Sequence, residues 1–274
     1  MKIKSTIFFL SLAILFAFNK VNDPTQQGLC EIENTCFKSG EKLVYKAYYN
    51  WGFIWIPAGE ASFHITETKT DYEVKVVGKT YESYESFFKV NDYFYSKIDK
   101  KTLYPKSFVR IIEEGNYRKF DSISFDQERR KAFSINGKTR TSAVKKEVNY
   151  DICMHDLLSV LYFMRNINVE LYTKGDYIPT KVFFDNESFP IKVRYDGKEP
   201  KKTIKELGKY NTIKVTPDMV VGEVFKEGDK MKIWISDDQN KIPLLIESPL
   251  KVGSAKAVLK SHSGLRHKLT AKIK

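Results

Sequence analysis

The chain has 274 residues, 42% of them hydrophobic and 14% aromatic, with a formal net charge of +12. That composition excludes a disordered chain and leaves room for one large β domain or two ordinary ones. Lysines are spread along the whole chain with no basic stripe and no nucleic-acid module, so nucleic acid is excluded as a partner, while an anionic membrane surface or polysaccharide is not.

The first 20 residues stand apart from the fold. Lys2 and Lys4 form a basic start, and an apolar run follows from Ser5 to Phe18. The run is short for a membrane-spanning helix and suits a secretory signal or an N-terminal anchor that stays uncleaved. The predicted address is therefore the periplasm or outer envelope. Residues 21–36 form a lead-in carrying "CEIENTC", where Cys30 and Cys36 are close enough for a local disulfide in an oxidising compartment. Cys153 is then a buried free thiol, although either lead-in cysteine could pair with it instead.

From residue 41 the period is two. "EKLVYKAYYN" alternates Leu43, Tyr45 and Ala47 with Val44 and Lys46, and "GEASFHITE" and "DYEVKVVGK" do the same. Such alternation marks strands with one buried face. Between the first two lies "WGFIWIPAGE", which reads as a strand ending near Trp55 with Pro57-Ala58-Gly59 breaking the ladder. Further strand patterns, from "NDYFYSKID" and "KSFVRIIEE" to "GSAKAVLKSHS", recur with polar turns between them. "TYESYESFF" reads as a short helix or turn. One segment breaks the alternation: Asp151 to Asn166, apolar around nearly its full circumference, predicts a buried helix of about four turns. The fold prediction is mainly β: a curved antiparallel sheet or open half-barrel wrapped around one central helix at about residues 151–166. Residues 37–274 form a single domain closing on a basic tail, "RHKLTAKIK", read as frayed.

"CFKSGEKLVYKAYYNWGFIWIPAGEASF", "DLLSVLYFMRN" and "WISDDQNKIPLLIESPLKVGSAKAVL" resemble a bacterial family of exported proteins, domain of unknown function 3108, and this chain resembles a member from the Bacteroidetes branch. The likeness runs over Phe37 to Ser263. It implies an exported β-rich domain and no assigned chemistry. By analogy alone, a curved sheet around a helix suggests the open half-barrels that carry lipoproteins in the bacterial envelope.

Candidate chemistry is sparse. Asp151, His155 and Ser159 share a helical face, but a mid-helix serine has already spent its backbone donors and lacks an oxyanion hole. Neighbouring carboxylates such as Glu113 with Glu114, or Asp237 with Asp238, point to opposite faces of a strand. The four histidines lack metal spacing, and "ISDDQNKIP" reads as a hairpin rather than a calcium loop. No cofactor, metal or catalytic set is predicted. What remains is aromatic: Trp51, Phe53 and Trp55 on one side of the knuckle, with Tyr162 and Arg165 on the helix, form the candidate ligand-binding set. Arg165 also reads as a structural clamp near the helix C-terminus. The functional expectation is a non-catalytic envelope protein that binds or carries an apolar or amphiphilic ligand, a lipid or a lipidated partner. The alternatives are an enzyme acting on envelope glycans or lipids, and a structural assembly partner.

Overall fold

The computed structural model describes residues 30, 32–51, 54–86, 88–218, 230–250 and 253–273. The apolar leader and the Phe53 position lie outside them, as does the Trp51 side chain.

Eight antiparallel strands follow one another: β1 (Lys42–Trp51), β2 (Ile54–Glu67), β3 (Asp71–Thr80), β4 (Asn91–Asp99), β5 (Pro105–Glu114), β6 (Tyr117–Asp126), β7 (Lys131–Gly137) and β8 (Val144–Asn149). A one-turn helix, α1 (Glu82–Glu85), links β3 to β4, where the sequence predicts a short helix or turn. After a two-residue strand, β9 (Met154–His155), comes the helix α2 (Ser159–Arg165). A second meander then runs through β10 (Tyr177–Phe184), β11 (Glu187–Ile204), β12 (Gly208–Pro217), β13 (Lys232–Ser236), β14 (Pro243–Pro249) and β15 (Ser254–Ser263). All 15 strands belong to one sheet with the spatial order β8-β7-β6-β5-β4-β3-β2-β1-β15-β14-β13-β12-β11-β10-β9. The first strand pairs antiparallel with the last, so the two meanders join at the middle and form two arms. The edges, β8 and β9, do not meet, and the sheet is open as predicted.

Strand alternation sets which face is buried. In β4, Asp92, Phe94, Ser96 and Ile98 point inward while Tyr93, Tyr95 and Lys97 stay half-exposed. The inner face wraps α2: Val160, Tyr162 and Phe163 share one apolar cluster with Ile65, Val76 and Phe108 of the first arm and Val182, Phe189 and Ile213 of the second. Each such side chain contributes about 1.5–3 kcal/mol by leaving water.

The helix is shorter than the sequence predicts. Cys153 adopts a left-handed backbone, φ 59°, which ends any helical run reaching it from Asp151. Met154 and His155 instead pair in parallel with Lys181 and Val182. Asp156 then accepts hydrogen bonds from the amides of Leu158 (2.6 Å) and Ser159 (2.8 Å), which leaves two turns of helix.

The aromatic knuckle also differs from its sequence reading. The ladder between β1 and β2 resumes at Ile54 and runs through Pro57, which stands opposite Tyr48 where the register slips. A proline, which has no N–H to donate, fits at such a bulge.

The tail end of the sheet, where β1 begins, is closed by both terminal segments. Arg266 donates to the carbonyls of Asn34 (2.7 Å) and Phe37 (3.4 Å), and the amides of Thr270 and Ala271 bond the Asp238 carboxylate at 3.1 Å each. The basic tail is therefore fixed rather than frayed, because the β13–β14 turn supplies acceptors for its backbone. Gly264 makes the passage (φ 64°): a Cβ there would stand 2.0 Å from the Gly40 carbonyl oxygen.

Candidate functional site

The disulfide joins Cys30 to Cys153, with Cα atoms 5.2 Å apart, and not to Cys36. Cys36 is a buried thiol that donates to the Arg165 carbonyl at 3.0 Å, and so is held in the core away from its near neighbour in sequence. The bridge ties the lead-in to the segment that launches α2.

Arg165 reaches from the end of α2 to Glu41. Its Nη1 and Nη2 donate to the two carboxylate oxygens at 2.6 and 2.8 Å, and Nε and Nη2 donate to the Asn240 carbonyl at 3.1 and 3.0 Å. Phe37 and Tyr162 flank the guanidinium with ring centroids at 5.5 and 5.4 Å. The end of α2, the start of β1 and the turn between β13 and β14 thus meet at one ion pair. Tyr162 packs edge-on against Phe37 and is buried within the first cluster. Trp55 lies against a different cluster, beneath the Lys256 ammonium (4.4 Å), which also sits over the Tyr48 ring (4.8 Å). The described members of the predicted aromatic set therefore fall in two places.

A second polar group occupies the inner face toward the opposite end. Register puts Phe94, Arg110, Asp121 and Asn136 in one row across β4 to β7. Arg110 is only 2% exposed and Asp121 is fully buried. The Arg110 Nη2 bonds Asp121 at 3.2 Å and, from the other arm, Asp185 at 2.6 Å. Asp185 lies in the two-residue turn between β10 and β11, and its Oδ1 also accepts from Lys119 (2.8 Å) and Asn136 (3.3 Å). The hairpin tip of one arm is thereby locked onto the inner face of the other. Burial alone would push the Asp185 carboxyl up, but Arg110 and Lys119 outweigh it and hold it below the usual range. Burial wins at Asp121, which is raised despite Arg110.

Further along the same face stand Asp92, two residues beyond Phe94, and Glu114, four residues beyond Arg110 and opposite Val90. The Glu113 amide donates to Asp92 at 3.0 Å. Burial pushes both carboxyls up; for Glu114, the charge of Asp92 adds to burial and carries it to about 9. The pair shares a proton at neutral pH, as like charges in a poorly solvated site must.

This group is incompletely bonded. Arg110 Nε, Ser134 Oγ, Glu114 Oε1 and Asn186 Oδ1 are buried without a hydrogen-bond partner. The large majority of buried side-chain polar atoms are paired in native proteins, so such a concentration calls for a cause. Among the described residues no group of three or more histidine, cysteine or acidic side chains could hold a metal ion.

The sequence carried a signal for this site. In "KSFVRIIEE", Arg110 alternates with Phe108 and Ile112, and in "YRKFDSISFD", Asp121 alternates with Ile123 and Phe125. Charges that share the apolar phase of a strand are charges on the buried face. Asp185 carried no such signal, since its role depends on the closing of one arm over the other.

An open, barrel-like sheet wrapped on a short helix, with charged side chains on its inner face, defines the class. The chain belongs to the family described as protein of unknown function (DUF3108), whose family model matches residues 44–260. Among curated proteins no match is found. A β-barrel-like protein of domain of unknown function DUF1849 from Brucella abortus is similar in fold: TM-score 0.56 at 11% identity, over 83% of this chain and 99% of that one. A candidate lipoprotein from Parabacteroides distasonis matches at TM-score 0.30 and 12% identity over 84% and 100% of the two chains. A candidate exported protein with a YmcC-like fold from Bacteroides fragilis matches at 0.30 and 11% over 85% and 100%.

Proposed function

We propose that this protein is a non-catalytic component of the bacterial envelope that binds an amphiphilic molecule on the inner face of its sheet, at the end opposite the tail. The observation that supports this reading is the set of unpartnered buried polar atoms beside an apolar core. A binding site for an amphiphile needs that combination, apolar walls with a few placed polar groups. Tyr162 and Arg165 are consumed by packing and by Glu41, so a ligand would have to engage the polar group instead.

Export is part of the proposal. It rests on the basic-then-apolar N-terminal sequence and on the Cys30–Cys153 bridge, which belongs to an oxidising compartment. Among the described residues no helix is long and apolar enough to cross a membrane. The net charge of +12 supports added attraction to an anionic membrane surface.

Protein purified without detergent is expected to carry a lipid-like adduct in native mass spectrometry and to take up a fluorescent fatty-acid probe. Finding neither would overturn the reading. One observation favours the alternative of an envelope enzyme: Asp92 and Glu114 have their pKa values split, as an acid–base pair requires. In that case Glu114→Gln would abolish turnover of an envelope glycan or lipid while leaving binding intact.

A further inference from the structure

We propose that Arg110 and Lys119 form a binding site for the singly charged acidic head of an amphiphile, and that Asp185 occupies it as a built-in stand-in which the ligand displaces. The inference rests on the amphiphile reading above and names the head group that reading leaves open.

Asp185 is bonded as a protein bonds a carboxylate ligand. One oxygen takes a guanidinium N–H at 2.6 Å, an ammonium at 2.8 Å and an amide N–H at 3.3 Å. Charge-assisted bonds of this kind are the strong, orienting contacts of acid recognition. The donors sit on β5, β6 and β7, whereas Asp185 arrives from a hairpin tip of the other arm. Arg110 keeps Asp121 as a neighbour across the ladder whether or not the tip is present.

The tip is a two-residue hairpin loop. Asp185 and Asn186 both adopt left-handed backbone, φ 49° and 66°, the geometry such a loop favours. Asp and Asn tolerate it better than other side-chain-bearing residues, so the tip presents the Asp185 carboxylate without needing a glycine. It is also the accessible part of the group. Asp185 and Lys119 are 23% and 22% exposed at their side chains, against 2% for Arg110. An approaching head group therefore meets Lys119 and Asp185 first.

Donors are left over for a ligand. Arg110 Nε and the Ser134 hydroxyl are buried and unpartnered, and a two-oxygen acid can use more than the single Asp185 oxygen engaged now. The remaining charges limit the ligand. Asp121 and Asp92 lie within range of the same guanidinium, so replacing one carboxylate by another monoanion keeps the balance, while a dianion would upset it. A fatty-acid carboxylate and a phosphodiester lipid head both satisfy this chemistry.

The test titrates the full chain with palmitate, palmitoyl-lysophosphatidylglycerol and hexadecanol. At least one acid should bind about tenfold or more tighter than the alcohol, and added salt should erode that preference. Whichever acid shows it identifies the source of the head group. Lys119→Gln, at a partly exposed position, should erase the preference, and Asp185→Asn should tighten acid binding. If Asp185→Asn does not fold, Lys119→Gln and the salt series decide. Acids and alcohol binding equally well would overturn the anion site and leave the amphiphile reading standing. A preference that survives both Lys119→Gln and high salt would also overturn the site. No binding of any of the three compounds would remove both proposals together.

Discussion

Among the described residues two arginines are buried, Arg110 and Arg165, and they are bonded differently. Arg165, at the tail end, has its Nε and both Nη atoms engaged by Glu41 and the Asn240 carbonyl, with two aromatic rings alongside. Arg110, toward the opposite end, shares one Nη between Asp121 and Asp185 and leaves Nε unpartnered. Equal burial therefore does not mean equal purpose. A buried ion pair with every hydrogen bond made has no capacity left for a ligand and specifies the fold. One that is partly made retains capacity, and its missing partners come from outside the chain or from a segment that can move.

The sharpest test of that contrast is stability. Glu41→Gln or Arg165→Met strands a charge or its partner in the core, and each should cost about 3–5 kcal/mol, a drop in Tm on the order of 10 °C. Arg110→Met should cost less, about 1–3 kcal/mol, because Asp185 is on a hairpin tip that can turn its carboxylate to water and the fully buried Asp121, already raised by burial, can take up a proton once Arg110 is gone. Thermal melts showing equal losses at the two arginines would erase the distinction. The disulfide belongs with the tail end. Cys153→Ser removes a bridge between residues 123 apart and should cost about 2–4 kcal/mol, whereas Cys36→Ser keeps a donor for the Arg165 carbonyl and should cost about 1 kcal/mol. A Cys36→Ser variant as damaged as Cys153→Ser would show that the thiol, rather than the bridge, organises the lead-in.

What could be read from the sequence follows the range of each interaction. The strands were legible because period-two burial is local: Leu43, Tyr45 and Ala47 alternate whatever the topology. The meandering antiparallel sheet followed from their cadence, though whether it closes did not, and Arg165 as a clamp followed from its place near a helix end. The length of α2 was misread. Apolar residues on all sides of Asp151 to Asn166 are as compatible with a buried strand and turn as with a helix, and the decision fell to a disulfide and a parallel partner at Lys181. The polar group was half legible. Arg110 and Asp121 stand in the apolar phase of their strands, but Asp185 is some 75 residues from Arg110, and only the folding of one arm over the other brings it there. Local pattern places a charge on the inner face; it does not say what comes to meet it.

The smallest predicted effect contrasts the pH responses of the two ends. Beside α2, burial lowers His155 to about 3 and raises Asp156 to about 6. The neutral histidine contributes stability that is full above its unfolded value of 6.5 and fades as pH falls toward 3, while the Asp156 contribution is full below 3.8 and fades as pH rises through 6. These oppose each other on acidification. At the polar end Asp92, Glu114 and Asp121 are all raised and act in one direction, with only the lowered Asp185 against them. Glu114 titrates at 4.5 in the unfolded chain and at about 9 in the fold, so the folded protein keeps a proton the unfolded chain gives up. Its contribution is complete below 4.5 and is lost as pH rises through 9. Glu114→Gln supplies a permanently neutral group of the same shape. It should match the wild type in acid and exceed it by about 1–3 kcal/mol in mildly alkaline buffer, where the wild type must either ionise a buried carboxyl or hold its proton against the gradient. Melts that run parallel for the two proteins across that range would mean Glu114 ionises freely. The inner face would then be wetter than its burial implies, and an acidic head group would meet two carboxylates there instead of one.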